Sequence, residues 1–128
     1  MVQSENNFNF KIGGVKLDIY ISGKMTGLED FGAEKFDRVA EILEKEGFTA
    51  FNPLCIGREI GFKKPYLTYM AILLPALIRC DAIYLLDNWK KSRGARFEYL
   101  VAKFFQLQVI YEKKDIIDAA ADFILGRL

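Results

Sequence analysis

Residues Ala82–Phe105 of this chain have the sequence AIYLLDNWKKSRGARFEYLVAKFF. The segment starts with an apolar run that predicts a buried strand, and it ends with a pattern typical of a helix. Between them, small and polar residues at Ser92–Glu98 follow the carboxyl end of the strand. Loops at this place bind ligands in open α/β sheets, and backbone N–H groups at a helix start attract anions. The segment therefore predicts an α/β fold with a ligand site after this strand.

Glu98 lies near the start of the predicted helix, where its side chain can face the same crevice. A carboxylate beside an anion-binding loop is the arrangement that a nucleophile for glycosyl transfer requires. The same residues also have purely structural explanations. Ser92 can be the N-cap of the helix, Gly94 can allow close packing, and Glu98 can interact with the helix dipole.

The composition favours a single packed domain over residues 1–128, without a preference for a charged partner. Hydrophobic residues make up 52% of the 128 residues, which is ample for a core. The 18 basic and 17 acidic residues give a net charge of +1, so no nucleic-acid polymer and no anionic membrane is expected as a partner. Neither a membrane span nor a secretion signal is predicted, and a cytoplasmic location is expected.

The chain contains no histidine, which limits its chemistry. Ser-His and Cys-His mechanisms and His-ligated metal sites are therefore excluded. Cys55 and Cys80 lack metal-type spacing and are predicted to be reduced thiols buried in the core. Acid–base chemistry would come from carboxylates, tyrosines or lysines, and neither a metal nor a cofactor is expected.

Strand and helix patterns alternate along the chain. Strands are predicted at 15–21, 48–51, 82–86 and 108–111, and helices at 31–46, 66–79, 95–105 and 115–125. This order predicts a three-layer sandwich, flavodoxin-like or Rossmann-like, with a parallel sheet of four or five strands. Residues 1–14 are expected to form a flexible or edge-strand extension, and residues 54–65 a loop and candidate lid. Pro75 is expected to kink or break its helix.

Small and polar side chains follow three of the predicted strands. Because the carboxyl ends of parallel strands share one edge of the sheet, these side chains are expected to surround one crevice. Hydroxyl groups and glycines suit contact with phosphate or sugar, and Trp89 can either stack on a base or cover the surface. The candidate site residues are Tyr20, Ser22, Gly23, Thr26, Asn52, Asp87, Trp89, Ser92, Gly94 and Glu98.

Three segments within residues 16–112 carry a resemblance to a known family: Ile19–Gly27, Cys80–Ala82 and Trp89–Glu98. Together they resemble the nucleoside 2-deoxyribosyltransferase-like superfamily, especially its small phage and bacterial branch. The last segment also resembles the site of 2'-deoxynucleoside 5'-phosphate N-hydrolases. The resemblance implies an enzyme that cleaves or transfers the N-glycosidic bond of a nucleoside or nucleotide.

The resemblance also implies a role for individual residues. Glu98 matches the nucleophile that attacks C1' of the deoxyribose, and Ser92 matches the residue that contacts the 5'-phosphate in the hydrolases. Tyr20 matches the tyrosine that orients the glutamate or the sugar. Ser22 and Gly23 match the loop that lines the phosphate or sugar.

One position departs from the family pattern. Leu73 stands where the family usually has an aspartate that handles the base or its leaving proton, and Asp87 is the nearby carboxylate nominated as a stand-in. Leu73 favours an alternative function, the binding of a nucleotide or nucleotide-sugar without turnover, whereas Glu98 favours an enzyme. An interaction domain that uses exposed aromatic residues is a third alternative.

The predicted helix at 66–79 is apolar nearly all round. A small domain buries only one face of such a helix against its sheet, so the other face requires cover. A homo-oligomer, at least a dimer, is therefore expected. The resemblance implies the same, because the family tends to complete its sites across subunits.

Overall fold

The computed structural model describes residues 16–112. Within this range a four-stranded parallel sheet lies between helices, which confirms the predicted α/β sandwich of the Rossmann-like or flavodoxin-like kind. The strands are β1 (Asp18–Ser22), β2 (Thr49–Phe51), β3 (Ala82–Leu85) and β4 (Gln108–Tyr111), in the spatial order β2-β1-β3-β4. The extension expected at 1–14 and the helix predicted at 115–125 lie outside the described residues.

The helices of the described range connect these strands. They are α1 (Ala33–Lys45), α2 (Leu54–Ile60), α3 (Tyr66–Ile78) and α4 (Arg93–Phe104). A 3-10 turn, Glu29–Gly32, precedes α1, and a second one, Trp89–Lys91, precedes α4. The predicted helices at 31–46 and 95–105 are thus present, with starts that differ by two residues.

The two faces of the sheet bury different sets of side chains, because successive residues of a strand point to opposite faces. On one face, Ile19 and Ile21 of β1 pack with apolar residues of α1, namely Phe36, Val39 and Leu43. On the other face, Tyr20 of β1 belongs to a second cluster with residues of α3 and α4, namely Leu73, Leu77 and Ala102. The alternation within β1 therefore separates the two layers of the core.

The predicted loop at 54–65 is wrong in its first half, because Leu54–Ile60 forms the helix α2. Asn52 starts this helix: its side-chain oxygen accepts the Leu54 N–H at 3.1 Å, and its carbonyl accepts the Cys55 N–H. Pro53, with φ of −64°, already has the backbone angle of a first helical turn. The Asn-Pro pair thus ends β2 and also begins a helix, and residues 61–65 remain as the connection to α3.

Pro75 does not divide the helix that contains it, because α3 runs from Tyr66 to Ile78. A proline inside a helix leaves the carbonyl four residues earlier without its usual donor. That carbonyl belongs to Ala71, an exposed residue, so water can satisfy it.

The prediction for the two cysteines is half wrong. Cys80 is buried, and burial raises the pKa of its thiol to about 11. Cys55 is exposed on α2, because this segment is a surface helix and not part of the core.

Candidate active site

A cavity lies where the order of the sheet changes direction. From β1 the chain passes outward to β2, and it then returns to β3 on the other side of β1. The carboxyl ends of β1 and β3 are therefore a topological switch point, which is where open α/β sheets bind ligands. The cavity has a volume of ≈ 180 Å³ and is lined by Gly23, Met25, Thr26, Phe31, Pro53, Gly57, Phe62, Tyr66, Tyr69, Met70, Leu73, Ser92, Gly94, Ala95 and Glu98.

Glu98 is the one carboxylate among the residues that line this cavity. Its side chain is buried, and the residue is only 6% exposed. Two hydroxyl groups of β1 hold it: Tyr20 donates to Oε2 and Ser22 donates to Oε1, each at 2.6 Å. Since each carboxylate oxygen can accept more than one hydrogen bond, lone pairs remain for a group in the cavity.

The positions of the two donors follow from the geometry of a strand. Tyr20 and Ser22 are two residues apart in β1, so their side chains point to the same face of the sheet. On that face lies α4, whose buried residues Ala95, Glu98 and Ala102 form one stripe. The alanines on either side of Glu98 are small, which allows the helix to approach β1 closely enough for both hydrogen bonds.

Burial and hydrogen bonding act on Glu98 in opposite directions. Burial penalises the charged form and raises the pKa of Glu98 from 4.5 to about 7, although the hydrogen bonds from Ser22 and Tyr20 lower it. Burial, and then the neighbouring Glu98, raise the pKa of Tyr20 well above its usual value. Tyr20 therefore remains a donor at any physiological pH, while Glu98 changes its charge near neutrality.

Ser92 has the structural role that its position suggests, and it also faces the cavity. Its Oγ accepts the Ala95 N–H at 3.0 Å, which makes it the N-cap of α4. That bond uses a lone pair of the hydroxyl oxygen and leaves its proton free to be donated to a ligand. Gly94, in the first turn of α4, lines the cavity beside it.

Gly23 and Thr26 line the same cavity from the loop after β1. A Cβ at position 23 would lie 2.6 Å from Cδ1 of Leu86, so any larger residue there would displace the buried side chain of Leu86, which follows β3. Glycine is thus required by the close approach of the two strand ends.

Five predicted site residues lie outside the cavity lining; Tyr20 and Ser22 contact Glu98 from behind it, and Asn52, Asp87 and Trp89 have other partners. Asp87 pairs with Lys35 at 3.2 Å, and Asn52 accepts the Leu54 N–H and donates to Asp37. Trp89 packs on Tyr99 with 4.9 Å between the ring centroids. The structure does not bring these three side chains to Glu98.

The cavity also contains residues that the sequence analysis did not select. Phe31 and Phe62 come from two loops, and Tyr66, Tyr69 and Met70 form one face of α3 together with Leu73. The spacing of these α3 residues at i, i+3, i+4 and i+7 is a signal that could have found them. Leu73, selected as the departure from the family pattern, is 3% exposed and faces the cavity.

Residues 16–112 contain neither a cluster of metal-binding side chains nor a helix that could span a membrane. No group of three or more His, Cys, Asp or Glu side chains in this range could hold a metal ion. None of its helices is long and apolar enough to cross a membrane.

Comparison with known proteins places the chain in a family. No curated protein matches it. The model of the family described as a domain of unknown function, DUF4406, matches residues 17–111, about three quarters of the chain. The chain therefore belongs to the DUF4406 family.

Proposed function

We propose that this protein cleaves or transfers the N-glycosidic bond of a nucleoside or nucleotide, with Glu98 as the nucleophile. One observation carries the proposal: a buried glutamate, held by Tyr20 and Ser22, forms part of the cavity wall at the topological switch point. A carboxylate that served only to stabilise the fold would more commonly be paired with a cation, and Glu98 has hydroxyl partners.

The chemistry requires a carboxylate and no metal. Cleavage of an N-glycosidic bond develops positive charge at C1', which a carboxylate stabilises. An oxygen of Glu98 bonds to C1' as the C1'–N bond breaks, and the electron pair of that bond leaves with the base, which then takes up a proton. Water or a second base next attacks C1' and releases Glu98. Water gives a hydrolase, and a base gives a transferase.

The hydroxyl pair orients the nucleophile for this step. Tyr20 and Ser22 each hold one oxygen of Glu98, which fixes the plane of the carboxylate. Such fixed donors leave little reorganisation for the reaction itself. The pKa of about 7 leaves a large fraction of Glu98 ionised at neutral pH, as a nucleophile requires.

The resemblance of the chain to nucleoside 2-deoxyribosyltransferase-like proteins supports the same proposal. The residues that carry it, Tyr20, Ser22, Gly23, Ser92 and Glu98, come from β1, from the loop after it and from α4, and they lie around one cavity or beneath its wall. A 5'-phosphate would bind the Ser92 hydroxyl and the first amides of α4, where the helix dipole favours an anion.

A second function, binding without turnover, is favoured by Leu73. This residue lines the cavity on α3, and a leucine can pack on a base but cannot give it a proton. A protein of this kind would bind the nucleotide or nucleotide-sugar and release it unchanged.

Incubation with a panel of deoxynucleosides and deoxynucleoside monophosphates, followed by chromatography for free base, separates the two functions. We expect base release by the wild type and a loss of about 10³-fold or more in Glu98→Gln. Glu41→Gln, on the exposed surface of α1, is the matched control and should keep full activity. Wild-type turnover in Glu98→Gln contradicts the proposed nucleophile, and binding without base release supports the second function.

A further inference from the structure

Two phenylalanines in the wall of the cavity stack on each other. The rings of Phe31 and Phe62 are stacked, with 4.3 Å between their centroids and 8° between their planes. Phe31 belongs to the 3-10 turn before α1, and Phe62 belongs to the connection between α2 and α3. Each residue is 37% exposed and lines the cavity that contains Glu98.

The part of the cavity wall that contains Phe62 is held in place by neighbouring residues. A Cβ at Gly57 of α2 would overlap the Phe62 ring, so the ring lies directly on the backbone of that helix. The hydroxyl of Tyr69 donates to the Gly61 carbonyl at 2.6 Å and accepts the Lys64 N–H at 2.9 Å. These bonds fasten both ends of the loop that carries Phe62.

The part of the wall that contains Phe31 has an unusual backbone conformation. Asp30 and Phe31 have φ of 50° and 56°, in the left-handed region that residues with a Cβ rarely adopt, and Gly32 follows at 75°. Non-glycine residues persist there only where the surroundings hold them, and such strain is concentrated at ligand clamps and switch regions. A change of backbone conformation at Asp30–Phe31 would break the hydrogen bond from the Phe31 N–H to the Leu28 carbonyl but would also release strain. A change in the loop that carries Phe62 would break the two hydrogen bonds of Tyr69 without such a release.

The cavity is small, so a wall that can move would enlarge the space for a ligand. Its ≈ 180 Å³ is below the range of about 300–1,000 Å³ that is usual for pockets of drug-sized ligands. Most other wall residues are carried by helices or by the loop directly after β1. The Phe31 turn is the part of the wall that its backbone strain marks as able to move.

We propose that Phe62 is the stacking platform for a planar heterocycle and that Phe31 is a gate, which leaves the stack so that the heterocycle of the ligand can take its place. The inference rests on the proposed function and adds the position of the base. Stacking of a base on an aromatic side chain replaces one ring contact by another, so the exchange loses little contact area. The two phenylalanines therefore have opposite effects on binding.

The test measures the binding of free adenine by calorimetry to the wild type and to Phe62→Ala and Phe31→Ala. We expect adenine to bind about tenfold or more weakly to Phe62→Ala, because a base–aromatic stack is lost. Phe31→Ala should bind adenine as tightly as the wild type or more tightly, because the competing ring is absent. Ile42→Ala, at a 51% exposed apolar residue of α1 outside the cavity lining, is the control and should bind as the wild type does.

A second probe and a second variant separate stacking from general damage. 2-Deoxyribose 5-phosphate lacks the heterocycle, so its binding should not differ among the variants. Gly57→Ala displaces the Phe62 ring without removing it and should reproduce the loss seen in Phe62→Ala. Thermal melting checks that each variant is folded.

Equal weakening in Phe31→Ala and Phe62→Ala, no weakening in Phe62→Ala, or an absence of adenine binding to the wild type would each overturn the gate. Adenine binding requires no catalysis, so this result is independent of base release. If the variants bind adenine as expected but the wild type releases no base, the gate and the binding function are supported and the catalytic function is contradicted.

Discussion

The hydroxyl of Tyr20 donates a 2.6 Å hydrogen bond to Oε2 of Glu98, although the two residues are 78 positions apart in the chain. Both side chains are buried, so water cannot replace the bond. The bond favours the charged carboxylate, whereas burial favours the neutral acid, and burial has the larger effect. The pKa of the proposed nucleophile therefore depends on a residue of a different secondary-structure element.

Replacement of Tyr20 by phenylalanine should shift the pH dependence of activity. In the wild type we expect kcat/KM to rise with pH through about 7, because the ionised form of Glu98 attacks C1'. Tyr20→Phe removes a hydrogen bond to the charged form, so the midpoint should move upward by about one to two pH units. Ser22→Ala removes the hydrogen bond to Oε1 of Glu98, so it should also move the midpoint upward. An unchanged midpoint in both variants would show that Glu98 does not control the profile.

Stability should also depend on the charge of Glu98. Its pKa is raised from 4.5 to about 7 on folding, so the folded state favours the protonated form. Protonation of Glu98 therefore stabilises the folded state fully below about pH 4.5, and this stabilisation is lost as the pH rises through about 7. At about 1.4 kcal/mol for each pKa unit, this corresponds to about 3 kcal/mol.

Denaturant unfolding at about pH 5 and about pH 8 measures this dependence. The free energy of unfolding of the wild type, relative to that of Glu98→Gln, should fall by about 2–3 kcal/mol between the two values, because part of the effect is already lost at about pH 5. The comparison removes the contributions of groups that both proteins share, such as the Asp37–Arg58 pair. A difference that does not vary with pH would refute the raised pKa.

Introduction of an acid at position 73 should accelerate base release. Leu73 lines the cavity, and an aspartate there would be buried, which favours the protonated form that a general acid requires. General acid catalysis is typically worth about 10²–10⁴-fold, so Leu73→Asp should raise kcat by up to that factor. Leu73→Asn has nearly the same shape but no acidic proton, and it should not accelerate the reaction. Fast cleavage by the wild type that does not increase in Leu73→Asp would show that protonation of the base is not limiting.

The outer face of α4 predicts an assembly of two or more copies. Leu100 and Phe104 are 61% and 79% exposed, and Phe97, one turn earlier on the same face, is 45% exposed. A contiguous apolar surface of this kind is typical of an interface between chains. We expect light scattering to give the mass of at least a dimer for the wild type and a smaller mass for Leu100→Glu. Ile42→Glu, an exposed change on α1, is the control. A monomeric wild type at micromolar concentration would contradict the assembly.

The fold could be predicted because its signals are local. The apolar runs that become β1, β3 and β4 are short and bounded by turn residues, and their alternation with helical patterns permits few topologies. Glu98 and its neighbours could be found for a similar reason, since strand ends in a parallel sheet converge. The helix α2 was missed because its start depends on the side chain of Asn52, which the sequence equally suggests as the end of a strand.

The aromatic part of the cavity could not be predicted in the same way. Phe31 and Phe62 come from different loops, and their contact depends on a left-handed turn at residues with a Cβ and on the absence of a side chain at Gly57. None of these features has a periodic signal in the sequence. Asp87 was selected for its position after β3, but the Lys35 side chain of α1 holds it outside the cavity.

The spacing of Tyr20 and Ser22 in β1 couples the environment of Glu98 to correct folding. If β1 paired with its neighbours one residue out of register, Ile19 and Ile21 would face Glu98, and the two hydroxyls would lie in the apolar layer against α1. The carboxylate would lose both donors in the same event that disrupts the core. A single register therefore determines both the packing of the protein and the hydrogen bonds of Glu98, so a chain in the wrong register would lose the proposed nucleophile together with its core.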